Sequence, residues 1–410
     1  MKVAVLTLGC KTNQYESEII KESFSIRENE IVDFREKADL YVINSCVVTS
    51  KAEAETRKAI SEALSKNKYA KIIITGCFAS LAKNFNRQSV QIFSGRKTQL
   101  ADFALGKPFS EDMGIDSESI FEFSEHTRAV LKVEEGCNNF CSYCIVPFVK
   151  GQYVQSKDID AVIREADNLV NKGYKEIVLT GTEIGKYGEE KGTNLAELLK
   201  NLKRIKNMRR IRISSIHPKH VSDLLIKEIE PPVVPHLHIS LQSGDNEVLK
   251  LMNRNYTREY FQGIVNRLRE IDKNFSISTD IIVGFPGETE EAFFNSIYMV
   301  RDVHFSKVHI FRFSKRPYTP AYFMKETSSE SQKKVRAERL KEYAYAEQKS
   351  FKERFMEEMV EVLVEEKKEY YEGFTPHYLR VKFTGSAKIN EFAKVKIKKV
   401  DAEYMYGESL

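Results

Sequence analysis

"AVLKVEEGCNNFCSYCIVP" occupies residues 129–147 and joins a strand pattern to three closely spaced cysteines. The run 129–136 reads as a β-strand, and the loop after it sets Cys137, Cys141 and Cys144 in the spacing C-x₃-C-x₂-C. A tetrahedral metal site or an iron–sulfur cube normally takes four protein ligands. Three cysteines therefore leave one coordination position to something other than a side chain of this motif.

Working outward, the strand at 129–136 is the first of six strand–helix repeats. The others begin with "KEIVLTG" (175–181), "RRIRISS" (209–215), "HLHISLQS" (236–243), "SISTDIIVG" (276–284) and "SKVHIFRFS" (306–314). Helical patterns such as "DIDAVIREADNLVNKG" and "EYFQGIVNRLREI" lie between them. Six such units over 128–345 predict a partial (β/α)6 barrel, with chemistry on the loops after the strands. The three-cysteine loop follows the first strand, where that rule places it.

Upstream, residues 1–115 alternate strand runs with helical stretches: "VAVLTLGC" (3–10), "LYVINSC" (40–46), "IIITGC" (72–77) and "VQIFSG" (90–95). This pattern predicts a parallel α/β sheet covered on both faces. The first three strands end alike, in a small polar residue or Gly followed by Cys10, Cys46 and Cys77. Strand C-termini of such sheets open onto the ligand crevice, so these cysteines are expected to converge as a second trio. The alternative is three unrelated buried cysteines.

Downstream, "SSESQKKVRAERLKEYAYAEQKSFKERFMEEM" (328–359) predicts a long helix, with Ser329 and Gln332 as a capping box. Residues 352–410 alternate as "VEVLVEE", "YLRVKF" and "AKVKIKKV", with Gly373 and Gly385 placed in turns, which predicts a small OB-like β-barrel. Between Arg380 and Val400 there are seven Lys or Arg and one acid. A basic face of this kind suits RNA phosphates, or is simply a solvated strand surface.

The composition is 42% apolar and 30% charged, without an apolar run of membrane-spanning length. The opening "MKVAVLTLGC" is read as a first strand and not a lipoprotein signal, because its apolar run is shorter than a signal core. A cytoplasmic chain is expected, so the six cysteines read as ligands and not as disulfides. Zinc held by three cysteines and His126, the nearest histidine, is one alternative.

The three-cysteine loop after a first barrel strand resembles the radical S-adenosylmethionine superfamily. In that family three thiolates hold a 4Fe–4S cluster whose open iron chelates S-adenosylmethionine. The resemblance implies Tyr143 beside the adenine and, in "LTGTEIGKYG", Thr180, Gly181 and Glu183 toward the amino group. It also implies Gln242, Ser243 and Arg254 in "LQSGDNEVLKLMNR" near ribose and carboxylate, and Val283 and Gly284 in "IIVGFPGETEE" near the adenine. With the "LGC", "NSC" and "TGC" trio and the basic β-domain, the whole chain resembles the methylthiotransferases. In that family the second trio holds an auxiliary 4Fe–4S cluster whose open iron carries the transferred sulfur. The terminal domain resembles TRAM, an RNA-binding module.

"TLGCKTNQYESE" and "VINSCVVTSKAEAETRKAI" look most like the MtaB-type members, which act on N6-threonylcarbamoyladenosine in tRNA. The implied reaction replaces the adenine C2 hydrogen with a methylthio group. The implied partners are a tRNA anticodon stem-loop, an electron donor and a sulfur source, with no membrane. Lys150, Arg316, Arg380 and Lys382 are the expected RNA contacts. Tyr318 departs from the family's glycine in "FSKRPYTPA" (313–321). The rivals are action on isopentenyladenosine in tRNA or on a ribosomal-protein aspartate, and a non-catalytic RNA-binding protein with structural zinc.

Overall fold

The computed structural model describes residues 1–82, 89–109, 114–123 and 127–409. The first layer is a five-stranded parallel sheet of β1 (Lys2–Thr7), β2 (Glu30–Val32), β3 (Leu40–Ser45), β4 (Lys71–Gly76) and β5 (Val90–Ile92), in the order β2-β1-β3-β4-β5. Strand pleating sends alternate residues to opposite faces. On one face Ala4, Tyr41, Ile43, Ile72 and Ile74 pack with Ala59, Ile60 and Ala63 of α2 (Ser50–Lys66). On the other, Val3, Leu40, Val42 and Ile73 pack on Ile20 and Phe24 of α1 (Lys11–Ser25). The three-residue β2 went unread in the sequence because it is too short to show a period.

The second unit carries six parallel strand positions, as expected, with one break. β6 (Arg128–Lys132), β9 (Glu176–Thr180) and β10 (Arg210–Ile213) form one sheet; β11 (Ser215–Ile216), β12 (His236–Ile239), β13 (Ser276–Val283) and β14 (Lys307–Arg312) form the next. Between β6 and β9 lies a short antiparallel ribbon, β7 (Glu134–Glu135) with β8 (Gln155–Ser156). The single strand read at 209–215 is interrupted at Ser214, which donates its N–H to Leu179 O. A parallel bridge between Ile211 and Val233 continues the wall across the break. Outward-facing Ile177, Leu179, Ile211, Ile213, Leu237, Ile239 and Ile277 join the apolar core under the helices. The alternate positions, Val178 apart, are polar (Glu176, Arg210, Arg212, His236, His238, Ser276, Ser278) and face the barrel interior.

The helix Glu330–Glu353 starts at Ser329, with both bonds of the capping box formed by Ser329 and Gln332. A closed barrel follows, of β15 (Met359–Lys367), β16 (Tyr371–Phe374), β17 (Arg380–Thr384), β18 (Phe392–Val400) and β19 (Tyr404–Ser409), in the order β15-β16-β17-β19-β18. Val362, Val364, Val381, Phe383, Val395, Ile397 and Met405 fill it. Gly385 lies in a turn as expected, but Gly373 lies inside β16 opposite Val364. There a Cβ would collide with the Leu363 carbonyl, so the close strand approach demands glycine.

Candidate active site

All six cysteines are free thiols at strand ends. Cys10 caps the start of α1, Cys46 follows β3, and Cys77 opens the helix α3 (Cys77–Leu81) after β4. Gly9, at φ +108°, lets the chain turn against Cys46, where a Cβ would meet the Cys46 Cβ at 2.8 Å and Sγ at 3.1 Å. Asn13 ties the strand ends together, donating to Leu8 O at 2.7 Å and Ser45 O at 3.1 Å. Burial raises the Cys46 thiol, with Cys10 adding to the effect, and burial pushes Cys77 up to about 12, with Cys10 and Cys46 adding. The three sulfurs therefore share one electrostatic neighbourhood, as the strand-end placement predicts.

Lys150 was expected to meet RNA, and the structure places it elsewhere. It is buried and paired with Glu16 and, at 3.7 Å, with Glu135. Burial lowers its pKa, but Glu16, Cys77, Glu135 and Cys10 outweigh that and hold it well above the lysine range. Its positive charge lies in the electrostatic reach of Cys77 and Cys10 of the first trio.

The second trio lies in the loop after β7. Phe140 adopts φ +47°, and Asn253 Nδ2 donates to its carbonyl at 2.9 Å. Ser142 N and Oγ donate to Met252 O and Leu251 O at 3.0 and 2.8 Å. Arg254 Nη1 donates to Cys141 Sγ at 3.3 Å, while its Nη2 donates to Ser240 O at 2.8 Å. Burial pushes the Cys137 and Cys144 thiols up to about 12, with Cys141 raising both. A metal must displace these protons to bind.

Glu183 is buried and accepts from Asn139 Nδ2 at 2.7 Å and His217 N at 3.4 Å. Burial pushes it up to about 7, against the lowering charge of Arg254. Its N–H donates to Glu134 Oε2 at 2.8 Å, and a Cβ on Gly181 would strike that same carboxylate. Glu134 Oε1 is buried without a hydrogen-bond partner. Burial raises the Glu134 carboxyl well above the usual carboxylate range, so a cationic amino group placed there would favour its anion and supply the missing hydrogen bond. Sequence reading missed Glu134; its only signal is an acid inside an apolar strand run. Thr180 is buried beside it, accepting from Val133 N at 2.9 Å through its carbonyl.

A cavity of about 180 Å³ is lined by Tyr143, Cys144, Gln242, Asp280, Phe311 and Phe313, and also by Val48 and Thr49 from the loop after Cys46. Cys144 of the second trio and the loop that follows Cys46 of the first thus border one space. Gln242 sits at φ +71° at the end of its strand, its N–H donating to Asp280 O at 2.8 Å. Of the expected ligand contacts only Tyr143 and Gln242 line this cavity; Thr180, Gly181 and Glu183 lie around Glu134, Arg254 lies on Cys141, and three stand apart from all of these. Ser243 is fully buried, with Oγ accepting from Asp245 N at 3.2 Å to shape the next helix start. Val283 packs in the apolar core, and the Gly284 N–H donates to Glu288 Oε2 at 2.7 Å beneath Lys333.

Arg316 was also expected to meet RNA. It is buried at 7% exposure, donating to Val47 O at 3.1 Å and Ser50 Oγ at 2.8 Å, and it pairs with Glu53 at 3.4 Å. It fastens the loop after β14 to the loop after Cys46. Tyr318, at φ +68°, stands where glycine was expected, and its exposed ring packs near Phe148. Arg380 and Lys382 do lie on the terminal barrel's surface, over the Tyr404 ring at 4.7 and 4.1 Å, each paired with Glu372 at 3.2 Å. His126 lies outside the described residues, among which no compact group of three or more His, Cys, Asp or Glu is poised around a single ion. No helix among the described residues is long and apolar enough to cross a membrane.

Comparison with known proteins agrees with this architecture. Residues 2–94 match the model described as uncharacterized protein family UPF0004, and residues 131–297 match the radical SAM superfamily. The threonylcarbamoyladenosine tRNA methylthiotransferase MtaB of Thermotoga maritima is 39% identical, over 98% of this chain and 95% of the relative. Its counterpart from Bacillus subtilis is 38% identical, over 99% and 96%. The tRNA-2-methylthio-N(6)-dimethylallyladenosine synthase of Natranaerobius thermophilus is 34% identical, over 99% and 96%. Among solved structures, the radical S-adenosylmethionine methyltransferase TsrM of Kitasatospora setae superposes with a TM-score of 0.58 at 15% identity, covering 78% of this chain and 74% of that one. That likeness is one of fold. With relatives this similar along nearly the whole length and both cysteine sets in place, the chain belongs to the tRNA methylthiotransferase family of the radical S-adenosylmethionine superfamily.

Proposed function

We propose that this protein replaces the C2 hydrogen of N6-threonylcarbamoyladenosine, beside the anticodon of tRNA, with a methylthio group. The observation that carries this reading is the cavity walled by Cys144 on one side and by the loop after Cys46 on the other. A reaction drawing on both cysteine sets needs them to face a common space. The MtaB relatives, at 39% and 38% identity against 34% for the dimethylallyladenosine enzyme, favour the threonylcarbamoyl substrate.

Cys137, Cys141 and Cys144 would hold one 4Fe–4S cluster, Cys10, Cys46 and Cys77 a second, and S-adenosylmethionine would lie toward Tyr143, Gln242 and Glu183. When bound, these groups would supply a 5′-deoxyadenosyl radical together with the sulfur and methyl of the product; a reductant and a sulfur source must come from outside. Arg254 orients Cys141, and the Glu134 and Glu183 carboxylates offer acceptors to the cofactor's amino group. Lys150 balances negative charge on the first trio. Thr49, Phe311 and Phe313 wall the cavity, and excluding water there protects a reactive carbon radical. Arg380 and Lys382 present charge to the RNA backbone.

The test is anaerobic reconstitution with a threonylcarbamoyladenosine stem-loop. The wild type should carry about eight irons, as two cubes require, and form the methylthio product. Cys10, Cys46 and Cys77 together replaced by Ala should still cleave S-adenosylmethionine yet make no product. Loss of cleavage while the radical-site cluster stays intact, or zinc in place of iron, would overturn the reading.

A further inference from the structure

The polar interior of the partial barrel encloses a second cavity, of about 280 Å³, just below the volume of a pocket that holds a whole small ligand. It has room for a base substituent. Val178, Arg212, His236, His238, Ser278, Lys307 and His309 form its barrel wall, Lys11 enters from the start of α1, and Tyr378 and Arg380 close it from the terminal barrel. It adjoins both proposed cluster sites. Lys11 directly follows Cys10, and His238 Nε2 lies 3.0 Å from Asp280 Oδ2, at the cavity beside Cys144.

Its charge is one-sided. Five of its lining residues are Lys or Arg, and the single acid, Glu403, is on the exposed rim. Arg212 is spent on Glu176, with Nε donating to Oε1 at 2.7 Å, and Arg380 on Glu372. Lys352 donates to Ala402 O at 2.8 Å, and Lys11 lies 6.0 Å over the Tyr378 ring, but among the described residues neither Lys11 nor Lys307 has an ion-pair or hydrogen-bond partner. Both ammoniums nonetheless act on the cavity: His309, lowered first by burial and by His238, is lowered further by Lys307 and Lys11. A separate sign comes from His236, which is 3% exposed. Its Nε2 bonds Ser278 Oγ at 3.0 Å, while its Nδ1 is buried with no partner. Two cations without a counter-ion make this a site that lacks an anion, and the His236 Nδ1 leaves one further hydrogen bond to be made there.

We infer that this cavity receives the carboxylate-bearing substituent of the target nucleoside, with Lys11 and Lys307 as its specificity-determining residues. The inference rests on the proposed function and names what reads its substrate. An apolar isopentenyl group would strip water from both ammoniums and return nothing. A carboxylate restores charge-assisted hydrogen bonds, the stronger class. A backbone phosphate would satisfy the same cations, so the test must separate the two anions.

The experiment measures binding of anticodon stem-loops to the reconstituted protein by fluorescence anisotropy, alongside product formation. One stem-loop carries threonylcarbamoyladenosine, a second its methyl ester, a third isopentenyladenosine. The wild type should bind the acid about tenfold more tightly than the ester, the effect of removing one charge-assisted hydrogen bond. Lys307→Met and Lys11→Met should each narrow that gap to about twofold, and Lys307→Arg should keep most of it. Iron content and melting temperature establish that each variant is folded and loaded. Equal binding of acid and ester by the wild type, as a phosphate in the cavity would give, overturns the inference and leaves the proposed function standing. A gap unchanged in both methionine variants also overturns it. Preference for the isopentenyl stem-loop, with product formed on it alone, overturns the proposed function itself.

Discussion

Replacing Glu176 by Gln should loosen the terminal barrel from the body of the protein. Glu176 begins β9, is fully buried, and accepts from Arg212 Nε at 2.7 Å and Nη2 at 3.1 Å. Arg210 and Arg128 approach the same carboxylate at 3.8 and 3.9 Å. These arginines also grip the terminal barrel. Arg210 donates to Phe374 O at 3.0 Å, Arg212 to Pro376 O at 3.1 Å and Thr375 O at 3.3 Å, and Arg128 pairs with Glu365. Burial raises the Glu176 pKa, but Arg212 and then Arg128 and Arg210 bring it below the usual carboxylate value, so the anion is the folded form. Glutamine keeps the shape and removes the charge. Breaking a buried ion pair from one side costs about 3–5 kcal/mol. The lower figure corresponds to roughly 6–12 °C in melting temperature for a domain of this size. Scanning calorimetry of the reconstituted protein reads the shift, and limited proteolysis reads release of the barrel after the helix Glu330–Glu353. In a double-mutant cycle with Arg212→Met, removing both charges should cost at least about 1.5 kcal/mol less than the sum of the single changes. A melting temperature within about 2 °C of wild type, or full additivity, would refute the claim that this carboxylate organises the docking.

Three further outcomes follow from the same structure. Arg380→Met with Lys382→Met should flatten the dependence of log affinity on log salt by about 0.7–0.9 for each phosphate no longer neutralised. Lys150→Met should leave that slope unchanged, because its partners are Glu16 and Glu135; a flatter slope would return it to the RNA interface. Burial lowers the buried Lys352 to about 8, with Lys307 adding to the effect, while its ammonium donates to Ala402 O at 2.8 Å. Its folded value lies below the unfolded one near 10.4, so the unfolded chain binds more protons in between. Stability should therefore rise with pH from about 8 to 10.4, by at most about 3 kcal/mol, and this contribution is lost as pH falls through 8. Denaturation of wild type and Lys352→Met across that window should show the rise only in the wild type.

Much of this architecture was legible because it depends on local pattern. The strand runs ending in Cys10, Cys46 and Cys77 announced a crevice, and the repeat after residue 128 announced the barrel. The capping box at Ser329 marked the long helix. What could not be read depends on partners far away in sequence. Lys150 and Arg316 look like phosphate binders until Glu16, 134 residues distant, and Ser50, 266 residues distant, are brought beside them. Ser243 and Gly284 stand in motif positions, yet their nearest bonds go to Asp245 and Glu288. The polar barrel interior is written plainly in "HLHISLQS" as alternation, but its meaning needed Lys11 from the N-terminal unit's first helix and Tyr378 from another barrel.

The most direct measurement is nucleoside mass spectrometry of tRNA from a bacterial strain lacking its own methylthiotransferases, with and without this chain expressed. Methylthio transfer to threonylcarbamoyladenosine requires the appearance of 2-methylthio-N6-threonylcarbamoyladenosine, and its disappearance when Cys10, Cys46 and Cys77 are replaced by Ala. Unchanged tRNA from cells holding an iron-loaded protein, or a methylthio group found only on isopentenyladenosine, would contradict it.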